Sequence, residues 1–411
     1  MRSRRRYSTC SVVLTGVLAL GLGGCGGDDD AATPAATASS AAATYSSDTK
    51  GIVAAATAFL ATLSSAEKDS VLFDRGDKEQ QQRWSNFPEG LFTRQGLMVG
   101  NLDQAKVDAF LTLMRTTMST EGYQRVMAEW AADDALAASD GGGTNGASGA
   151  PGGGMSGAPG GMSGGPGGGM PGGSGGPPSG AMPGAGQSGA APGGGTGGMQ
   201  YGKQYYWMAI IGEPSETEAW QWQFGGHHVT VNATLKGDDL SMTPSFIGAQ
   251  PGTYDANGTE VRPLGDIIDE ATALVTSLDA ADKKKAVLGD TYIDLVLGPG
   301  EDCKTIAAEG LAGADMSAEQ QATFLELIDE YGALANDEMA ADRLAQLKTD
   351  LPTTTFAWYG PTTAGASAYF RVTGPHVVIE YSPQSMGGDA ADHIHGIYRD
   401  PTNDYGGTVC S

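Results

Sequence analysis

The chain has 411 residues, with 24 basic and 48 acidic side chains and a formal net charge of −24 at pH 7. A surface this acidic repels phosphate backbones and anionic headgroups, which argues against nucleic acid as a partner. Histidine is scarce, with five in the whole chain, so the places where it occurs carry information.

The N-terminus opens on Met1-Arg2-Ser3-Arg4-Arg5-Arg6, followed by an apolar run from Ser11 to Leu22 and then Gly23-Gly24-Cys25. A basic n-region, a short h-region and small residues read as a signal peptide. The run is shorter than the roughly 20 apolar residues of a spanning helix. A cysteine directly after Leu22-Gly23-Gly24 has the pattern of a bacterial lipobox. Residues 1–25 are therefore expected to be a lipoprotein signal with Cys25 as the lipidation site. That places the protein in the cell envelope, facing the extracytoplasmic side, with the membrane as a partner through an N-terminal lipid anchor. Ser3-Arg4-Arg5-Arg6-Tyr7 also bears a weak likeness to a twin-arginine signal. Cleavage removes four arginines and no acid, which takes the net charge to about −28. Residues 26–48, with Asp28-Asp29-Asp30, read as a disordered tether.

The folded part is expected to begin at residue 49. Asp48 or Thr49 caps an apolar helix over 52–63, and Leu102–Met118 shows Val107, Phe110, Leu111 and Met114 at helical spacing. A third helix starts at Thr120, with Tyr123, Val126, Met127 and Trp130 on one face. A Gly/Pro-rich stretch then runs over 139–200. Residues 141–200 hold 29 Gly, 8 Pro and 5 Met and no charged or aromatic residue, so this segment cannot bury enough apolar area to offset chain entropy. It reads as a disordered insertion in a surface loop. Its Met155, Met162, Met170, Met182 and Met199 are thioethers suited to Cu(I), but their spacing is irregular and no His accompanies them.

Beyond the insertion the pattern becomes β. Gln204–Ile211, Glu218–Phe224 and His228–Leu235 read as strands, and Trp220, Trp222 and Phe224 share a side. Helices return over 264–288 and 317–347. Strands close the chain at Thr354–Tyr359, Ala368–Val372, His376–Tyr381 and His393–Tyr398. The expected class is α+β, with a mostly antiparallel sheet, flanking helices and one large domain over 49–411. Signal, tether and insertion leave about 300 residues, enough for one such core. With Cys10 and Cys25 assigned to the N-terminal segment, Cys303 and Cys410 form an even pair. In an oxidising compartment that reads as a disulfide, with metal ligation as the alternative.

Four of the five histidines form two groups, His227-His228 and His393-Ile394-His395, and the fifth is His376. On a strand, His393 and His395 point to one face. His376, Val378 and Glu380 share a face in the same way, so Glu380 is a candidate acid ligand if the two strands pair. His227 and His228 point to opposite faces unless Gly225-Gly226 makes a bulge. The candidate metal ligands are therefore His393, His395 and Glu380, with His227 or His228. Such a set suits a divalent metal, zinc first, with copper or iron as alternatives. Asp389, Asp392, Asp400 and Asp404 are candidate orienters of ring N–H groups. The loop Tyr398-Arg399-Asp400-Pro401-Thr402-Asn403-Asp404-Tyr405-Gly406 lies just beyond the pair. Arg399, Asp400 and Asp404 are its catalytic candidates, with Arg399 expected to bind an anionic group of the substrate.

Gly225-Gly226-His227-His228, Pro244-Ser245-Phe246-Ile247-Gly248-Ala249-Gln250-Pro251 and the ending His393–Gly406 resemble the family catalogued as domain of unknown function 3500. Arg83-Trp84 with Pro88, Trp220, Trp222 and Glu380 add to the resemblance, which spans residues 50–407 apart from the insertion. It implies one domain, a secreted or lipid-anchored protein and a common His-bearing site, and supplies no substrate. Members often continue past Gly406 with an apolar stretch, where this sequence reads Gly407-Thr408-Val409-Cys410-Ser411. The expected function is an extracytoplasmic lipoprotein with a metal-dependent site acting on a small-molecule or polymer substrate, hydrolytic rather than redox. The alternative is a non-catalytic lipoprotein that binds a ligand or metal, or whose histidines are structural.

Overall fold

The computed structural model describes residues 44–139, 199–385 and 389–410. The expected signal peptide, Cys25, most of the tether and nearly all of the Gly/Pro/Met-rich insertion lie outside the described residues.

Helices begin where a side-chain oxygen meets the free N–H groups of a first turn. Asp48 caps α1 (Thr49–Ala61) and Asp103 caps α2 (Gln104–Thr117). Helix α3 spans Thr120–Ser139 and α4 spans Gly265–Ser277. Ser317 and Gln320 form a capping box at α5 (Ala318–Gly332), and Asn336 caps α6 (Asp337–Asp350). The two long helices expected over 264–288 and 317–347 are each divided. Asp279 accepts from the N–H groups of Ala281 and Asp282 and starts a separate helix, Ala280–Ala286, while Asn336 restarts the second one. Asp and Asn compete for backbone donors and so favour a cap over a helix interior.

The main sheet contains β1 (Leu72–Phe73), β2 (Trp207–Ile211), β3 (Trp220–Gly225), β4 (Val229–Lys236) and β5 (Ser245–Ala249). Its second half contains β6 (Val287–Gly289), β7 (Thr355–Tyr359), β8 (Tyr369–Gly374), β9 (Val377–Pro383) and β10 (Ile394–Arg399). The order across the sheet is β1-β2-β3-β4-β5-β10-β9-β8-β7-β6. The last strand in the sequence therefore lies in the middle and joins the two halves. The α+β class holds, but the sheet is mixed where a mostly antiparallel one was expected: β1 runs parallel to β2, and β6 parallel to β7. Each of these edge strands follows directly from a helix, Ser65–Val71 or Ala280–Ala286, and not from a hairpin that would impose the antiparallel sense.

The two faces of the sheet differ in chemistry. Paired residues lie on the same side of a sheet, so the register assigns each side chain. One face carries Ile210, Trp222, Ala233, Ile247, Tyr381, Phe370 and Trp358, all in one apolar core with Phe59, Phe110, Leu274 and Phe324 from the helices. Phe110 packs edge-on against both Phe59 and Trp222. The other face carries Gln223, Thr230, Asn232, Arg371, Glu380, Ser382 and His395, and it too is buried. Loops cover it, with Trp84 and Leu295 packing on Phe246 and Ile397. Buried polar groups require partners. Asn232 meets that requirement by accepting from the amides of Gln221 and Gln223 and donating to the Pro244 carbonyl.

The Cys303–Cys410 disulfide is present, with Cα atoms 5.2 Å apart and a sequence separation of 107 residues. It fastens the C-terminal tail to the loop that covers the polar face. Replacing Cys303 by Ser is expected to lower stability by about 2–4 kcal/mol. Urea unfolding of the oxidised wild type beside the variant measures the loss, and equal midpoints would show that the tail does not need the bond.

Candidate metal centre

The candidate centre is built at one end of the β4, β5 and β10 strands. The register pairs Val229 with Ile247 and Gly248 with His395, so the next residue outward from Val229, His228, lies beside Gly248. His228, Gly248 and His395 thus form one row on the polar face. Gly248 has no side chain to separate the two imidazoles, and a Cβ there would lie 2.7 Å from the Ile394 carbonyl oxygen and 3.2 Å from that of His228. His393 precedes β10 in an extended conformation and presents its ring on the same face. Nε2 of His393 is 3.1 Å from Nε2 of His228 and 3.0 Å from Nε2 of His395.

Gly225-Gly226 shapes the turn that delivers the doublet. Both His227 and His228 precede the first strand residue, Val229, so the opposite-face rule does not apply to them. Their rings stack with centroids 3.6 Å apart. The turn is clamped from two sides. Arg94 donates to the Gly226 carbonyl, and the Tyr206 hydroxyl accepts from the His228 N–H. A Cβ at Gly226 would strike the Tyr206 ring at 2.5 Å, so only glycine fits. Behind the doublet stands Asp133 of α3, whose Oδ1 is 3.1 Å from Nδ1 of His227 and 3.4 Å from Nδ1 of His228. Asn86 lies 3.4 Å from Nδ1 of His395.

His228 is fully buried, and His227, His393 and His395 are each 7% exposed. Burial, and then the nearby His227, push the His228 imidazole down to about 3, although Asp133 works against this. Burial, then His228 and His393, hold His395 well below its ordinary value. These rings are neutral at pH 7 and offer lone pairs. Burial alone would raise the Asp133 carboxyl, but the two imidazoles beside it, His227 and His228, outweigh burial and leave the group ionised. A single N–H of His393 shared between two acceptors is the most that the three Nε2 atoms can make among themselves. The three Nε2 atoms are placed so that one cation could take all three lone pairs. Zinc–nitrogen bonds of about 2.05 Å at tetrahedral angles place neighbouring nitrogens about 3.3 Å apart, close to the separations found. Two sets of buried residues could hold a metal ion: His228, His393 and His395, and Asp133, His227 and His228.

The profile of the family described as protein of unknown function (DUF3500) matches residues 45–407. The chain belongs to the DUF3500 family. No curated protein and no solved structure matches it.

Several candidates of this DUF3500 chain lie elsewhere. Glu380 shares the face of His395, but it opposes Ile397, and Ser382 opposes His395. Its carboxylate accepts from the N–H groups of Val296 and Leu297 and from the Tyr369 hydroxyl, so it anchors a covering loop and is not among the grouped ligands. His376 pairs with Asp350 away from the other four. Arg399 does not present a free guanidinium to a substrate. Four of its five N–H groups go to Leu297, Asp302, Asp404 and Gly298, and the group lies over the Trp84 ring. Asp400 binds Arg343 and the Thr402 N–H and hydroxyl, and Asp404 binds Arg399 and the Asp400 N–H. These three form an internal clasp, because a buried charge must be paired. Asp389 and Asp392 accept backbone N–H groups of Ala391 and Gly252 and orient no ring.

Two residues at the centre escaped the sequence reading. Asp133 follows Trp130 by three positions on the apolar stripe of Tyr123, Val126 and Trp130, and a carboxylate on such a stripe is a signal. Asn86 lies in a loop and gives none beyond its neighbours Arg83-Trp84.

The neutral imidazoles link stability to pH. A base whose folded pKa is depressed contributes fully above its unfolded value, about 6.5, and loses that contribution as pH falls towards its folded value. For His228 this window runs from about 6.5 down to about 3. Glu270, raised to about 7 by burial and by Glu326, works in the opposite sense as pH rises from about 4.5. The comparison therefore needs a variant. Metal-free wild type is expected to lose more stability between pH 7.5 and pH 5 than His395→Asn, by urea unfolding. Equal losses would mean that His395 is not held neutral by its surroundings.

Proposed function

We propose that the protein is a lipid-anchored, extracytoplasmic metalloprotein that holds a divalent ion on Nε2 of His228, His393 and His395. The carrying observation is the convergence of three buried imidazole Nε2 atoms, with His393 3.1 Å from His228 and 3.0 Å from His395. Zinc fits first, because three imidazole nitrogens leave a fourth position open, as catalytic zinc sites do. Copper also suits an all-imidazole set. Iron loses its argument, since the carboxylate it favours was to be Glu380, which is engaged elsewhere. A metal held this way supplies an activated water at neutral pH, and on that basis the reading is hydrolytic. Asp133 supports it as an ionised carboxylate 3.4 Å from Nδ1 of His228, which favours the ring proton on that side and leaves the Nε2 lone pair for an ion. The Cys25 anchor and the envelope location rest on the N-terminal sequence pattern.

One observation favours a second reading, a structural or storage metal. The four imidazoles are at most 7% exposed. A cavity of about 510 Å³ opens beside Arg399, Thr402 and the disulfide, and a smaller one of about 160 Å³ beside Arg262 and Tyr381, and no histidine lines either.

Metal analysis of the mature protein decides the main question. Wild type is expected to carry zinc tightly, and His393→Ala/His395→Ala to lose at least about 100-fold in affinity. Wild type without metal, whose melting temperature does not respond to added Zn, Cu, Fe or Mn, would end the metal reading. Cobalt substitution separates the two roles. Visible bands that shift on adding azide reveal an open position, and bands that do not shift favour the structural or storage role.

A further inference from the structure

We infer that His228 bridges two metal ions, one on its Nε2 with His393 and His395 and a second on its Nδ1 with Nδ1 of His227 and Oδ1 of Asp133. This rests on the proposed metal reading and extends it from one ion to two. The two buried ligand sets share one residue, and they use opposite nitrogens of its ring.

The second set has the features of a site in its own right. Asp133 is 1% exposed and His227 7%. One carboxylate oxygen, Oδ2, is fixed by the Gly202 N–H, and the other, Oδ1, faces both rings. The ring contacts of Asp133 Oδ1 are with these two imidazoles. Arg94, the guanidinium close enough to feel Asp133, gives Nη2 to the carbonyls of Ser85, Phe87 and Gly226 and holds Nη1 3.8 Å from Glu89. Nδ1 of His228 has no hydrogen bond, and its 3.4 Å approach to Oδ1 is long for one. Ligand atoms each about 2.0–2.2 Å from a common tetrahedral ion lie about 3.3–3.5 Å apart, which matches the 3.1 and 3.4 Å found.

A carboxylate that merely orients one ligand histidine needs a single ring N–H. Here the same oxygen meets Nδ1 of two stacked rings, and His227 has no task in a one-ion centre. The proton balance is explicit. Neutral His228 carries one N–H, so ligation at both nitrogens expels that proton to solvent, and the second ion releases one proton more than an isolated imidazole ligand would. The ions would stand about 6 Å apart across the ring, from two bonds of about 2 Å and the ring width. Both sites suit first-row divalent ions, with three nitrogens at one and two nitrogens and an oxygen at the other.

The test titrates the metal-free mature chain with Cu(II), reading stoichiometry by elemental analysis and spin by electron paramagnetic resonance. Wild type is expected to take two ions per chain. The first gives an isolated-copper signal, and the second lowers the integrated intensity through exchange coupling across the ring. His227→Gln and Asp133→Asn should each take one ion and keep the full signal. One ion in wild type, two uncoupled ions, or two ions in both variants would overturn the bridge and leave the three-histidine site standing. No bound ion at all would overturn both readings. If the variants misfold, the wild-type count and its coupling decide alone.

Discussion

Both faces of the sheet are buried, and one of them is polar. That constraint governs much of what the structure does. The apolar face finds its cover in the helices, at the ordinary profit of removing hydrocarbon from water. The polar face has no such reward. Each amide, carboxylate and imidazole on it must find a partner or bear a desolvation cost. Gln221 and Gln223 both donate to Asn232, and Glu380 binds two backbone N–H groups. The imidazoles instead bring the Nε2 atoms of His228, His393 and His395 together at 3.0 and 3.1 Å, and that convergence is the physical reason to expect a cation among them.

The same constraint explains the conspicuous loop after β10. Trp84 donates to the Tyr405 hydroxyl, which donates to Asp302, which also binds Arg399. Three separate segments are thereby locked over the sheet: the loop around Trp84, the loop around Asp302 and the C-terminal tail. A cluster of Arg, Asp and Tyr beside two histidines invites a catalytic reading. Its burial makes it the cover that keeps water from the polar face.

The candidate site was partly legible in the sequence. The His393/His395 pair could be read because strand alternation has a period of two, which survives any error in strand boundaries. His227-His228 could not be resolved, because its geometry depends on the Gly225-Gly226 turn and on Arg94, which is 132 residues from Gly226. Glu380 was placed on the correct face, yet pairing it with His395 required the register of β9 against β10, and hydrophobic pattern does not give that register. Strands β2, β3, β4, β7, β8, β9 and β10 and the long helical stretches were found by periodicity, whereas β5, Ser245–Ala249, was not read as a strand. The parallel edges were not, since nothing local in Leu72–Phe73 or Val287–Gly289 states which neighbour it will join. Asp133 was visible only as an acid on an apolar stripe.

Strand β10 is the last to be made and the one that closes the middle of the sheet. Until it is in place, strands β1–β5 and β6–β9 are two half-sheets with β5 and β9 exposed as open edges. Open edges are templates for wrong pairing. The strand that seals them also begins at the His393/His395 pair. Completion of the sheet and assembly of the three-histidine cluster are therefore one event on the folding path, dominated by contacts distant in sequence and correspondingly slow. A chain caught before this step has neither the assembled histidine cluster nor a protected edge, so quality control that senses exposed strands would also remove molecules that lack the cluster.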